Sequence, residues 1–250
     1  MKRKIFNLLL IILFSLLFLS LTYSQDVQSM LSQADDLYRQ REELSKAREA
    51  MSLYEEIIKI DPQNYEAHWK LAKTIYYIGE HLTSKKEKLA LYKKGIEIAK
   101  KAVKLGPDKP EGHFFLAVLY GVYGQTRGVL KSLFLVDDIK KEVYKTIRID
   151  PTIECGGPYQ LLGRLYYELP GFFGGSKKRS LKLLLKAKSI CDSDPLTYLY
   201  LADTYLALGK KDKAIEELRK VIEMEPHPDL IPETKEYKKQ AEEKLRELEK

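Results

Sequence analysis

The sequence predicts an all-α fold: a right-handed superhelical solenoid of about five helix-turn-helix repeats, finished by a C-terminal capping helix. Three observations predict it. The chain can be laid over itself five times, its apolar residues recur with a period near 3.6, and prolines recur beyond every second helix.

Lys2, Arg3 and Lys4 form a positive start, Ile5 to Leu21 is almost wholly apolar, and the small residues Thr22 and Ser24 precede Gln25. Residues 1–24 therefore read as a secretory signal peptide, with an uncleaved N-terminal anchor through residues 5–21 as the alternative. The expected location is periplasmic or otherwise exported. No cysteine follows the apolar run until Cys155, which argues against direct lipid anchoring. Removing this segment takes away three positive charges and no negative ones, so the net charge of +7 falls to +4. Lysines and glutamates are interleaved through the remainder, the pattern of solvated helix faces and not of a nucleic-acid stripe.

The five repeats span about 31–64, 65–108, 110–153, 156–194 and 195–228, within a solenoid of residues 27–230. The clearest copy reads Tyr198, Leu201, Ala202, Tyr205 and Gly209 on its first helix (A), then Ala214, Leu218, Val221 and Pro226 on its second (B). Ala34 and Leu37 lead in the same way to Ala50, Tyr54, Ile57 and Pro62. His68, Leu71, Ala72, Ile75 and Gly79 lead to Gly95, Ala99, Ala102 and Pro107. His113, Leu116, Ala117, Tyr120 and Gly124 lead to Ile139, Val143, Thr146 and Pro151. Tyr159, Leu162, Gly163 and Tyr166 lead to Ser180, Leu184 and Ala187, with Pro195 slightly late. This is the tetratricopeptide pattern. Small residues stand where helix A must approach helix B, and the prolines stop helix B. The very polar stretch 231–250 suits a capping helix.

Three insertions interrupt the period at the A-to-B turns, about eleven residues between Gly79 and Gly95, about ten between Gly124 and Ile139, and about five between Pro170 and Ser180. They are expected to project from one edge. The second contains Val129-Leu130-Lys131-Ser132-Leu133-Phe134-Leu135-Val136, too apolar to be left in water, which must pack over the stack or meet another molecule.

Helix A presents the concave face of such a stack, and its register selects Asp35 and Arg39, then Trp69, Lys73, Tyr76 and Tyr77, then Phe114 and Val118. Gln160, Arg164, Tyr167 and Glu168 follow, then Leu199 and Asp203. An aromatic lining with Lys73 and Arg164 suits an extended peptide or a small amphipathic carboxylate. The competing reading is that the aromatics are packing between repeats and the cations are solvated.

Other chemistry is absent from the pattern. Gly156-Gly157-Pro158, Gly171 and Gly174-Gly175 lack the flanking strand and Gly-Lys-Ser/Thr of a phosphate loop, and read as a helix start and a tight turn with Phe172-Phe173 tucked inward. His68 and His113 take packing positions, and His81 and His227 form no metal-ligand spacing. Neither a nucleophile elbow nor a cofactor motif stands out, so the expectation is a chain with no enzymatic activity, metal or cofactor. Cys155 precedes helix A of the fourth repeat and Cys191 ends its helix B, so antiparallel packing sets the two side by side; whether they are bridged stays open, since Cα separation is not written in sequence.

The stretch from Gly156 to Tyr167 followed by Leu169-Pro170-Gly171-Phe172-Phe173-Gly174-Gly175 resembles the signature of the TatT-like family, the tetratricopeptide T-components of TRAP-type transporters. Gly112 to Ala117 and Lys131 to Phe134 are similar to further blocks of that family. The resemblance implies a periplasmic protein that associates, as a ring-like homo-oligomer, with the solute-binding protein of a TRAP-type transporter and helps deliver hydrophobic or carboxylate-bearing small molecules. The alternative partner is another envelope protein that places a peptide segment in the groove. Neither reading involves nucleic acid, and membrane contact would come only through an uncleaved N-terminal segment.

Overall fold

The computed structural model describes residues 25–226 and 230–250. The expected signal segment lies outside them, as do His227 and the end of the fifth repeat. Eleven α-helices are described. They run α1 (25–39), α2 (Leu44–Ile60), α3 (Tyr65–Glu80), α4 (Lys85–Leu105), α5 (Pro110–Arg127), α6 (Val136–Ile149), α7 (Ile153–Glu168), α8 (Lys177–Ile190), α9 (Pro195–Ala207), α10 (Lys211–Glu223) and α11 (Ile231–Leu248). There is no strand among the described residues. Odd-numbered helices from α1 to α9 are the A helices, even-numbered ones the B helices, and α11 follows in the position of a sixth A helix.

Each helix packs on its successor, and A helices also pack on the next A helix, α3 on α5, α5 on α7 and α7 on α9. The core is accordingly a string of clusters along the stack, with Leu71, Ile75, Tyr92 and Leu119 at one end and Leu201, Leu218 and Ala241 at the other. That is the architecture of units that bury their apolar stripes only against neighbours. Ala72, Ala117 and Ala202 are fully buried where helices cross. At Gly163 an added Cβ would lie 2.8 Å from Cγ and Cδ2 of Leu184, so α7 and α8 touch there with no room for a methyl group.

Helix ends follow local chemistry. The side chains of Asn64, Ser84, Ser176 and Asp194 accept from the free amides of Ala67, Glu87, Arg179 and Leu196. Pro62, Pro107 and Pro151 each stand two residues beyond a B helix. Pro195 does something else: it is the first residue of α9, where its missing amide costs nothing, and α8 has already ended at Cys191.

The insertions are absorbed mostly as helix. The first lengthens α4 to 21 residues, so it makes no projecting loop. The second extends α5 to Arg127 and then forms a 3₁₀ segment, Val129–Leu135, with Leu135 and Ser132 packed against the stack while Leu130 and Phe134 stand in solvent. The third carries Phe172, 81% exposed, so the aromatic pair is not tucked inward. Gly171–Phe173 forms a short 3₁₀ turn with no buried residue, which aims these rings away from the helices.

The start of α7 is the irregular point. Glu154, Cys155 and Gly156 all take left-handed backbone angles, φ 46°, 59° and 77°, and the regular helix resumes at Gly157 and Pro158. Left-handed conformation is uncommon for residues with a Cβ and persists where surroundings enforce it. Cys155 is disulfide-bonded to Cys191, Cα atoms 5.2 Å apart, which ties this turn to the end of α8. Nearby, α5 and α6 are joined by a buried pair: Nδ1 of His113 lies 2.5 Å from Oε2 of Glu142, and Nε2 of His113 lies 3.0 Å from the Pro107 carbonyl. Burial raises the Glu142 carboxyl, but hydrogen bonding and charge from His113 outweigh it and hold it below the usual glutamate range.

Three stability outcomes follow. Gly163→Ala should lower stability by about 1–2 kcal/mol in chemical denaturation, because overpacking against Leu184 exceeds the helix-propensity gain of about 1 kcal/mol. Replacing both cysteines with serine should cost about 3 kcal/mol, read as a drop in Tm that reductant reproduces in the parent chain. Because the folded Glu142 is more acidic than an unfolded glutamate, its contribution is present above pH about 4.3 and disappears as pH falls through the lowered folded value. Glu142→Gln should therefore be less stable than the parent at pH 7 by about 1–3 kcal/mol, with the gap closing toward pH 3.

Candidate functional site

The inner side of the stack is where the A helices converge, and residues far apart in sequence meet on it. Lys73 on α3 reaches Glu154 at the left-handed turn, 2.7 Å away, and its ammonium also stands over the rings of Tyr38 and Phe115. Arg164 on α7 bonds Asp203 on α9 at 2.9 Å and Glu168 at 2.6 Å, with its guanidinium 4.8 Å from the ring centres of both Tyr167 and Tyr200. Asp203 also accepts from Lys244 of α11 at 2.6 Å. Both cations selected from the sequence as anion holders are thus already matched by carboxylates of the chain, and an incoming anion would have to compete with them.

Trp69 is half-buried and stacks on Phe115 of the next A helix, ring centres 6.0 Å apart and planes 8° from parallel. Tyr76 is half-buried too, and burial pushes its hydroxyl well above the ordinary tyrosine value, with Glu80 and Tyr200 adding to the effect. Tyr200 is raised to about 12 by burial, against the pull of Arg164. Tyr38 and Tyr237 are shifted upward by burial as well. Tyrosines from α1, α3, α9 and α11 therefore share one poorly hydrated concavity.

Several selected residues serve other ends. Phe114 is buried, and its ring fills the space beside Gly157, where an added Cβ would come within 2.6 Å. Gln160 is buried and donates to Asp194 and, at 2.7 Å, to Thr197, tying the fourth repeat to the fifth. Tyr77 is buried, donates to the Arg41 carbonyl at 2.9 Å, and is raised to about 12 by burial. Leu199 belongs to the core, while Asp35 accepts from Tyr54 and Lys70. Arg39 is exposed and pairs with Asp36 on its own helix. Tyr167 is half-buried beneath Lys177, which also donates to its carbonyl. Trp69, Lys73, Tyr76, Arg164, Tyr167 and Asp203 remain as half-buried residues of the inner side.

The reading of helix-A positions missed Arg41, Tyr38, Tyr200 and the whole of α11. Arg41 is only 5% exposed and forks onto Glu233 of α11, 192 residues away, with contacts of 2.8 and 2.7 Å. Nothing local marks that pair. Among the described residues no group of histidine, cysteine and carboxylates could hold a metal ion, and no helix is long and apolar enough to cross a membrane.

Comparison with known proteins bears on the fold that carries these residues. The tetratricopeptide-repeat family model matches residues 197–228. A thermophilic TPR protein of Thermus thermophilus superposes with a TM-score of 0.64 at 22% identity, covering 86% of this chain and 98% of that one. PilW, a type IV pilus biogenesis factor, superposes at 0.56 with 19% identity, covering 88% of this chain and 90% of its own. These likenesses establish the fold. In sequence, the chain is 26% identical over 235 residues to regulator of microtubule dynamics protein 3 of Rattus norvegicus, and 24% identical to that of Bos taurus, in each case over 88% of this chain and 48% of the relative. The chain thus spans about half the length of the curated relatives it matches. The family model described as regulator of microtubule dynamics protein 1-3 matches residues 30–171, more than half of the chain, running from the first repeat through α7 into the third insertion, and the chain belongs to that family.

Proposed function

We propose that this chain is a non-catalytic scaffold that binds a partner protein through the inner side of its helix stack. The observation that carries the reading is the convergence of Trp69, Lys73, Tyr76, Arg164, Tyr167 and Asp203, from the three A helices α3, α7 and α9, on one concavity lined by rings and ion pairs. Aromatic side chains give large contact area at small entropic cost, and paired charges around them add orientation. The tetratricopeptide fold supports a protein-interaction role at this general level.

The narrower form of the proposal is an exported scaffold whose partner is the solute-binding protein of a TRAP-type transporter. Its support is the basic and apolar character of residues 1–24 and the blocks Gly156 to Tyr167 and Leu169 to Gly175. The name of the matched family favours a second partner, microtubules or their regulators, in the half of those relatives that this chain spans.

The test is capture with the full chain and with Trp69→Ala and Arg164→Glu variants, each checked for helical content. A solute-binding protein recovered by the parent chain and reduced about tenfold or more by either substitution supports the transporter reading. Co-sedimentation with microtubules that the same substitutions reduce supports the second. Partners retained equally by the parent and both folded variants would overturn the inner side as the binding surface.

A further inference from the structure

The insertions of the third and fourth repeats both leave apolar side chains exposed. Leu130 and Phe134 on the Val129–Leu135 segment are 68% and 62% exposed, and Phe172 and Phe173 stand out on the Gly171–Phe173 turn. Both segments protrude: a Cβ added at Gly128, Gly171 or Gly174 would meet nothing within 4 Å. They also share one edge of the stack. α5 and α7 pack together as successive A helices, and Leu165 of α7 and Leu183 of α8 pack against the cluster that holds Leu135 and Ile139. Lys140 of α6 and Arg179 of α8 each place a cation 5.6 Å from the Tyr166 ring centre, which joins the two turns across the end of α7.

Charge on this edge is lopsided. Residues 127–142 and 168–182 carry eight lysines and arginines against four acids. Two of those acids have partners within the chain, Glu142 with His113 and Glu168 with Arg164. The other two, Asp137 and Asp138, lie in the first turn of α6, where they complement the helix dipole. The cations lie among the apolar tips: Arg127 is 5.3 Å from the Phe134 ring centre, and Lys131 and Lys178 are exposed beside the two turns. Neighbouring apolar points of this size mark a surface that another body covers. A bound peptide would need a groove or a strand edge, and two separate projections offer neither. A layer that yields to each projection and carries negative charge to meet the cations fits both features, and the headgroup region of an anionic bilayer is such a layer.

We propose that the edge formed by these two insertions docks on an anionic membrane, with Leu130, Phe134, Phe172 and Phe173 entering the interface and Lys131 and Lys178 meeting lipid headgroups. The two signals act together, since apolar burial holds the tips once charge has brought the edge to the surface. The edge is a different surface from the inner side, so the scaffold reading and this one are tested separately.

The experiment is hydrogen exchange of the full chain with vesicles of phosphatidylcholine alone and of phosphatidylcholine with about one-third phosphatidylserine. Amides of residues 129–135 and 171–174 should exchange several-fold more slowly on the anionic vesicles, and at their vesicle-free rate on the neutral ones. Attachment through residues 1–24 alone would leave these amides unprotected. Phe134→Ser combined with Phe172→Ser, both at exposed positions, should raise the vesicle concentration that gives half-protection about tenfold or more. Lys131→Gln combined with Lys178→Gln should raise it on the order of tenfold, and added NaCl should act in the same direction on the parent chain. No protection at either segment, or equal protection by both kinds of vesicle, would overturn the proposal. Protection that grows with protein concentration in the absence of vesicles would overturn it in favour of a second copy of the chain.

Discussion

No helix of this chain has a partner of its own until its neighbour is in place, and the contact that makes neighbours possible is the close crossing of A on B. Ala72, Ala117, Gly163 and Ala202 keep that crossing short, with Leu184 packed directly on Gly163, the Tyr92 ring on Gly79, and Leu218 fully buried further along. Everything else is built on a pitch set by those small residues. A larger residue at one crossing would push one helix pair from the next, and the displacement would be carried along the array.

The pitch has a functional result. Five pairs curve enough to bring α3 within reach of the start of α7, as Lys73 and Glu154 show, and to bring α11 back to the turn after α1. A shallower curve would leave an open groove whose charges face water. Here the charges find one another across the concavity: Lys73 meets Glu154 and Arg164 meets Asp203, each from another A helix, and Arg164 also meets Glu168 of its own. An ion pair of this kind serves less as glue than as a statement of which groups an incoming molecule must replace.

The repeats were legible because an amphipathic period and a recurring proline are local signals, and the positions of Leu71, Ala72, Ile75, Leu201, Ala202 and Tyr205 in the core follow directly. The inner side was legible only in part. Counting positions along helix A finds Trp69, Lys73, Arg164 and Asp203, but it does not separate a residue turned inward from one caught between adjacent A helices, which is where Phe114 and Gln160 lie. Pairs such as Arg41 with Glu233 depend on total curvature, a sum over every crossing, and no window of sequence holds it. The left-handed run at Glu154 and Cys155 gives no signal either, because neither residue type favours that conformation and the turn is enforced from outside, by Lys73 on one side and Cys191 on the other. Pro195 and the Phe172-Phe173 pair were misread for a simpler reason: the same residue type can stop one helix or start the next, and aromatic rings on a glycine-flanked 3₁₀ turn have no helix face to lie against.

The chain has one tryptophan, and it is Trp69. Its indole lies flat against Phe115 and beside Lys70, whose ammonium is 5.6 Å from the ring centre, so its surroundings combine an aromatic plane with a nearby positive charge. A fluorophore in that setting changes colour and brightness when either neighbour moves. The molecule therefore carries a built-in optical gauge on its second repeat, and rearrangement of the surrounding helices can be followed by light emission with no label attached.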